Sequence, residues 1–600
     1  MLGAAQSAAA GPIATIPGLA IPTAGSFAQN GKLQHGTASA CSPAKTAPAV
    51  DNSGTSFNLI DLGFTSFINE SACVTVSFST ADPSCWSNGL YSASYLGSID
   101  PSNIQTNYLG DSGASPSDPT PKAYSMTVPP GGTLDTVFHM SVAGTGCSSF
   151  DATWSSDRPW TTARPRISGH PFAGETLTGF DGGWTTGTVT RQWRRCALDG
   201  SSCVDIPGAT GGTYAVAPDD VGHSLSLHST ATDGGGTSTS DSLPVISGIQ
   251  FEDISGQSLS GADPTQHGRL PFGGLIGTCP APKGGSAVDV AQNRFYDVFT
   301  RTNQSDGTLC AIASLEATST CTSGGPISAA YSSPFDPALV AKHYLSDGGL
   351  SAIQGARTIS YSFEVSAGAN YDVVVATLNP GATCPSYDLR LGATAPYPTA
   401  PPTLQGTAME GQTLTATTGT WTGTPAFAYQ WRQCFMDGSG CTDVPGATGS
   451  TYVLSAGDVG HSYRVRVTAS EGAGSASKSS GATAPVAATP PAPFPGIALK
   501  RATVNVRPNG VVNLTLSCPA AATLACLGTD TLKLGKQKLG SRSFLIFNGE
   551  KGKLRFTLSK KFRKQLAKKK KLKTTQTVVS RDARRLPVTT SAQLTLKFKK

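Results

Sequence analysis

The stretch QWRRCALDGSSC, Gln192 to Cys203, sets two cysteines seven positions apart directly behind a tryptophan. Two thiols so placed form a metal grip, a redox pair or a covalent staple, and the choice decides the architecture. A redox pair normally uses C-x-x-C in an α/β setting, which is absent here. A zinc site needs a second Cys or His pair at ligand spacing, and none follows within the same repeat. The staple reading is preferred, with LDGSS supplying an Asp-Gly turn between the two cysteines. Closing so short a loop contributes about 2.5 kcal/mol on the chain-entropy model.

The stretch recurs as QWRQCFMDGSGC, Gln430 to Cys441, and both copies run on alike into DDVGHS and GDVGHS. Upstream, GETLTG ahead of Trp184 matches GQTLTA ahead of Trp421. The likeness extends further back, because Tyr108 to Asp151 parallels Tyr344 to Asp388. Cys41, Cys73 and Cys85 correspond to Cys279, Cys310 and Cys321 at offsets of 236 to 238. A two-domain block of about 237 residues has therefore been duplicated whole. The fourteen cysteines divide as four, two, four, two and two along the chain, an even number in every domain. That parity suits closed disulfides, with Cys518 and Cys526 as a third short staple. Spacing leaves open which of three pairings each set of four adopts. Disulfides at this density persist in an oxidising compartment, so the protein is expected to be exported, extracellular or at the cell surface.

Composition agrees with a chain of short strands. Gly (68) and Pro (41) are abundant and only 14% of residues are charged, which favours turns over long helices. No apolar run is long enough to span a bilayer as a helix. In Tyr463 to Ala469, Tyr463, Val465, Val467 and Ala469 alternate onto one face; Leu225, Leu227, Ser229 and Ala231 keep the same frame. Trp193 and Trp431 sit in mid-strand, where a buried indole would anchor two packed sheets. On the G-x-x-L-T, W-x-x-C and D-V-G-H-S patterns, residues 164–248 and 401–487 resemble the bacterial immunoglobulin-like repeats of secreted and surface proteins, which implies β-sandwiches. The staple lies inside one hairpin, unlike the inter-sheet bridge of antibody domains.

The longer repeats, 26–157 and 262–395, alternate as well, with Tyr361, Phe363 and Val365 inward. Their segments SFEVSAGANYDVVVATLNPGATCPSYDLRL and GRLPFGGLIGTCPAPK are similar to the bacterial pre-peptidase C-terminal domain, a jelly-roll unit appended to secreted enzymes and surface proteins. The resemblance brings no catalytic residues with it. Residues 1–25 are small and apolar without an early basic residue, so they are expected to be disordered, with a leader lying upstream of Met1 or atypical. The fold class expected is all-β: a tandem array of jelly-roll-like and immunoglobulin-like sandwiches, drawn out on short linkers rather than packed as one globule.

After the Pro-rich linker 488–496 the chain changes character. Residues 497–600 carry 25 Lys or Arg against Asp530, Glu550 and Asp582, a surplus of 22. The preceding 496 residues hold 20 basic and 35 acidic groups, which leaves the overall charge at +7. VNLTLSCPAAATLACLGTDTLKLG and LGSRSFLIFNGEKGKLRFTLSKKFRKQL resemble C-terminal β-sandwich modules of secreted bacterial proteins. Within SKKFRKQLAKKKKLK, Phe562 and Leu566 share one helical face, and lysines coat the other. Lys560, Lys561, Lys564 and Lys568, Lys569, Lys570 and Lys571 are the candidate polyanion-binding residues. The bland alternative is a solvated face that keeps the protein soluble.

Other motifs point to turns. GDSGA, Gly110 to Ala114, imitates a serine-protease nucleophile loop, yet the second copy has Gly348 in place of Ser112 and only His35 lies upstream. His223 and His461 recur within the same repeated turn, and LPVTT at Leu586 reads as a loop entering the last strand. No phosphate loop, calcium loop or catalytic carboxylate pair stands out, so neither cofactor nor metal is expected. The expectation is a monomeric, non-enzymatic adhesive, binding or spacer array whose partners are anionic envelope polymers or glycans. No specific nucleic-acid binding is expected, for want of an evident aromatic stacking platform. The rival is a secreted carbohydrate-active or carbohydrate-binding protein with its site on a jelly roll. Mass mapping of an unreduced digest should show all fourteen thiols oxidised, with Cys196–Cys203, Cys434–Cys441 and Cys518–Cys526 as local bridges. Stoichiometric zinc, or free thiols at those six positions, would overturn the staple reading.

Overall fold

The computed structural model describes the chain apart from residues 1–10, 24–26, 35, 116–119, 271–275, 280–288, 353–356, 491, 584–585 and 600, and apart from the side chains of 52, 53 and 289–291. The described residues form tandem β-sandwiches. The first is built from β1 (Gly11–Ile21), β2 (Ala28–Leu33), β3 (Val50–Thr65), β4 (Ala72–Ser79), β5 (Leu90–Leu96), β6 (Tyr108–Asp111), β7 (Lys122–Val128), β8 (Thr133–Met140) and β9 (Cys147–Ser156). One sheet runs β1-β9-β4-β7 and the other β2-β3-β8-β5-β6, so the chain crosses repeatedly between them in jelly-roll fashion. Ala72, Val74, Val76 and Phe78 of β4 alternate strictly into the space between the sheets. There they meet Phe138 and Trp154, whose rings stand edge to face at 5.9 Å. The indole of Trp154 donates to Thr136 Oγ1 at 2.9 Å, so burying it leaves no orphan N–H.

Residues 249–393 repeat this topology, with Ile249–Leu259 in the place of β1. Both copies start earlier than the sequence suggests. The segment expected to be disordered contributes β1, whose Ile21 is buried and whose backbone pairs from Gly11↔Ser156 to Ile21↔Cys147. Its Gly, Ala and Pro content hides a strand that exists because the edge of β9 offers it a partner. The four cysteines pair first with second and third with fourth in each copy: Cys41–Cys73 and Cys85–Cys147, then Cys279–Cys310 and Cys321–Cys384.

In the immunoglobulin-like modules, Trp193 and Trp431 are fully buried. Their indoles donate to Gly211 O at 3.0 Å and Gly449 O at 2.8 Å, and stack on Tyr214 and Tyr452. Cys196–Cys203 and Cys434–Cys441 close the hairpin that follows, where Arg195 pairs with Val204 and Gln433 with Thr442. Gly200 and Gly438 take positive φ at its tip, a conformation that glycine adopts without steric cost. The repeated D-V-G-H-S turn is structural. Asp220 is buried and accepts from Tyr214 Oη, Ala217 N and Arg195 Nε at 2.7–2.8 Å. In the second copy Gln433 and Tyr463 replace Arg195 and Leu225, and Tyr463 Oη donates to Asp458 instead.

Residues up to Ala487 form one compact unit and residues from Ala488 another. Within the first, the modules meet through hydrogen bonds rather than hanging on free linkers. Asn69 N donates to Thr239 O, and Glu70 accepts from Thr239 N and Oγ1. Thr358 N donates to Ile167 O at 3.1 Å, and Gly169 N to Thr358 Oγ1 at 2.9 Å. Lys478 pairs with Asp306 at 3.5 Å.

A buried histidine sits at one of these junctions. His170 Nδ1 lies 2.9 Å from Ser314 Oγ, and Nε2 lies 3.7 Å from the Glu316 carboxylate. Burial, and after it the charge of Arg390, pushes its pKa down to about 4. Because the folded value lies below the ordinary histidine value of 6.5, its contribution to stability is complete above that pH and is lost as pH falls towards 4. Exchange protection at the Gly169 and Thr358 amides, corrected for intrinsic rates, should therefore fall between pH 7 and pH 4.5. His170→Asn should flatten that fall; unchanged protection in the parent protein would refute it.

Candidate functional site

The C-terminal unit places its cations by a simple rule: every second residue of a strand, and one side of one helix, must face water. Its main sheet runs 502–506, 588–598, 571–581, 525–534 and 537–547, with 511–517 and 551–557 as a second pair. Leu532, Leu572, Leu594 and Leu596 fill one core, while Phe494, Ile497, Cys518 and Cys526 fill another. Phe494 lies inside the expected linker 488–496, so the module begins within it; this phenylalanine is core. Cys518–Cys526 is closed as a local bridge.

The helix Lys560–Lys569 buries Leu566 completely and packs Phe562 against the core, the two residues that the sequence set on one face. Its first turn carries Lys560 and Lys561 without an acidic residue, against the helix dipole, and Ser559 makes no side-chain cap. Packing rather than electrostatics holds it. Lys570 ends it in a left-handed conformation, and Lys571 already begins the next strand.

Lys560, Lys561, Lys564, Lys568, Lys569, Lys570 and Lys571 are all exposed, and none makes an ion pair among the described residues. Lys571 stands directly opposite Lys597 in the antiparallel register, a like-charge pair that disfavours the sheet. Exposed Lys573, Lys551, Lys553 and Arg555 add to the positive surface. Of the module's three acids, Asp530 and Asp582 are buried, which leaves Glu550 as the single exposed counter-charge. An array of unpaired ammonium groups on short strands and a packed helix can attract anionic groups without a shaped pocket.

The tempting motifs resolve otherwise. Asp111 of GDSGA pairs with Lys45 at 2.7 Å and accepts from Tyr108 Oη, while Ser112 Oγ is buried and accepts from Ser92 N. His35 lies outside the described residues. Val588 begins the last strand, with exposed Leu586 in the loop before it. Among the described residues no group of three or more His, Cys, Asp or Glu could hold a metal ion, and no helix is long and apolar enough to cross a membrane. Sequence inspection missed one cationic constellation, Arg164 and Arg166 with Arg357, which face one cleft from two modules. No spacing rule connects them.

No family model matches the chain, and no curated protein does. Three solved structures with some likeness are themselves strings of domains. Drosophila N-cadherin EC1-4 is 11% identical, with 69% of this chain and 93% of that chain covered and a TM-score of 0.19. The N-terminal four Ig domains of Dscam1 isoform 4.44 are 12% identical, covering 74% and 100%, at 0.13. Sidekick-1 immunoglobulin domains 1-5 are 13% identical, covering 74% and 99%, also at 0.13. At these scores the likenesses transfer no ligand, partner or activity to this chain.

One buried acid sets a pH response in the basic module. Asp530 Oδ2 accepts from Gln576 Nε2 at 2.7 Å, Oδ1 has no partner, and burial raises the carboxyl to about 6. The folded state thus holds its proton longer than the unfolded state, so the module loses stability as pH rises from the ordinary aspartate value of 3.8 towards 6. Asp530→Asn is expected to recover on the order of 2 kcal/mol at pH 7. It should also remove the decline, read as hydrogen exchange of the 525–534 and 571–581 strands. A variant less stable than the parent at pH 7 would contradict this.

Proposed function

We propose that this chain is an exported, non-enzymatic binding array of bacterial type, whose basic C-terminal module associates with anionic polymers of a cell envelope. The observation that carries the reading is the set of seven exposed lysines without ion pairs among the described residues, on a module with a surplus of 22 positive charges. Such a surface costs stability through self-repulsion, as the Lys571–Lys597 pairing illustrates, and a polyanion relieves that cost. The seven disulfides support an oxidising compartment. The duplicated block supports reach or avidity, since linked modules raise effective concentration without new contacts. The jelly-roll topology of the long repeats is compatible with the pre-peptidase C-terminal resemblance.

The full-length protein should be retained on isolated cell envelopes at low ionic strength and released as salt shortens the Debye length from about 10 Å at 0.1 M to about 3 Å at 1 M. Replacing the seven lysines by glutamine should weaken retention by about a hundredfold or more, taking roughly 1 kcal/mol per charge near an anionic surface. Retention that survives high salt, or equal retention of the variant, would defeat the proposal.

A further inference from the structure

Between the first immunoglobulin-like module and the second jelly roll lies a cleft of about 450 Å³, with Phe67 of the first jelly roll at its edge. Its walls are mainly apolar: Ile167, Leu243, Pro244, Val245, Leu350 and Ile359. Three arginines interrupt them. The Arg164 guanidinium lies 5.6 Å from the centroid of the Phe67 ring, and Arg166 and Arg357 enter from the two facing modules. None of the three makes an ion pair or a side-chain hydrogen bond among the described residues. The Nε atoms of Arg166 and Arg357 are shielded from solvent and donate to no acceptor among the described residues.

This arrangement runs against the composition around it, because the first 496 residues hold 35 acids to 20 bases. An unpaired arginine in an acidic arm would ordinarily find a carboxylate. Nor do the segments 271–275 and 353–356, which adjoin Ile276 and Arg357 in sequence, contain an acidic side chain. Burial depresses the Arg357 pKa, and the charge of Arg166 depresses it further, so the two cations disfavour each other. The walls are held together: Thr358 N donates to Ile167 O, and Ser360 Oγ lies 3.2 Å from Ile246 O and 3.3 Å from Ile246 N. Guanidinium forks from two facing modules in a mainly apolar cleft suit an oxyanion, and the apolar walls suit a hydrocarbon body attached to it.

We propose that this cleft binds a small organic anion, one oxyanion headgroup on an apolar body, with Arg166 and Arg357 receiving the headgroup. Carboxylate, sulfate and phosphate share that chemistry. The test titrates the full-length protein calorimetrically with octanoate, octyl sulfate, octyl phosphate and octanol, all below micelle-forming concentrations. At least one octyl anion should bind one per chain, tenfold or more tighter than octanol, and the tightest of the three identifies the headgroup. Arg166→Gln and Arg357→Gln should each weaken it by tenfold or more, while the seven-lysine variant of the C-terminal module binds as the parent does. The comparison of anion with alcohol needs no substitution, so it stands even where an arginine variant folds poorly. Equal binding of octanol, absence of saturable binding, or loss in the lysine variant with retention in the arginine variants would overturn the assignment.

Discussion

Every sandwich in this chain is closed covalently within itself, and those bridges limit where the strands can lie. In each jelly roll one disulfide, Cys41–Cys73 or Cys279–Cys310, ties a central strand of one sheet to the segment between β2 and β3, or between their counterparts. The other, Cys85–Cys147 or Cys321–Cys384, ties a connection to the start of the strand that β1, or its counterpart, pairs with. The immunoglobulin-like modules use a tighter device, a bridged hairpin directly after the buried indole. Cross-links of this kind act chiefly by narrowing the unfolded ensemble, which suits modules whose cores are modest.

With the strands so fixed, polar groups can be buried where they serve the frame. Asp220 and Asp458 hold one turn in both copies through different donors, Arg195 in one and Tyr463 in the other. Duplication kept the acceptor and let its partners drift together. Asp111 and Asp347 likewise anchor equivalent turns through Tyr108 and Tyr344. The repeated residues that look most like catalytic motifs are therefore structural acceptors, satisfied inside the fold.

Positive charge is treated in the opposite way. In the C-terminal module the lysines are too numerous for their counter-charges, and the outer side of one helix together with strand alternation places them in water. In the cleft the arginines are few, yet none pairs with an acid among the described residues although acids are plentiful in that part of the sequence. Unpaired cations thus arise by two routes, excess on an open surface and exclusion of carboxylates from an apolar cleft. The first suits extended polyanions and the second a small headgroup, because the cleft partly shields the Arg166 and Arg357 guanidinium groups among apolar walls.

Local periodicity made much of this legible from the sequence alone. The two-residue alternation of Tyr463 to Ala469, the bridged hairpins behind Trp193 and Trp431, and the packing of Phe562 and Leu566 depend on neighbours a few positions apart. They could be read without a fold. The strand Gly11–Ile21, the choice among three cysteine pairings in each jelly roll, the core role of Phe494 and the meeting of Arg166 with Arg357 could not. Each depends on a partner far along the chain, and none leaves a periodic trace near its own residues. Sequence determined which segments could be strands and which thiols could close at short range. The tertiary structure alone decided which distant edges paired and which charges were left without partners, because those outcomes follow from the packing of whole modules against one another.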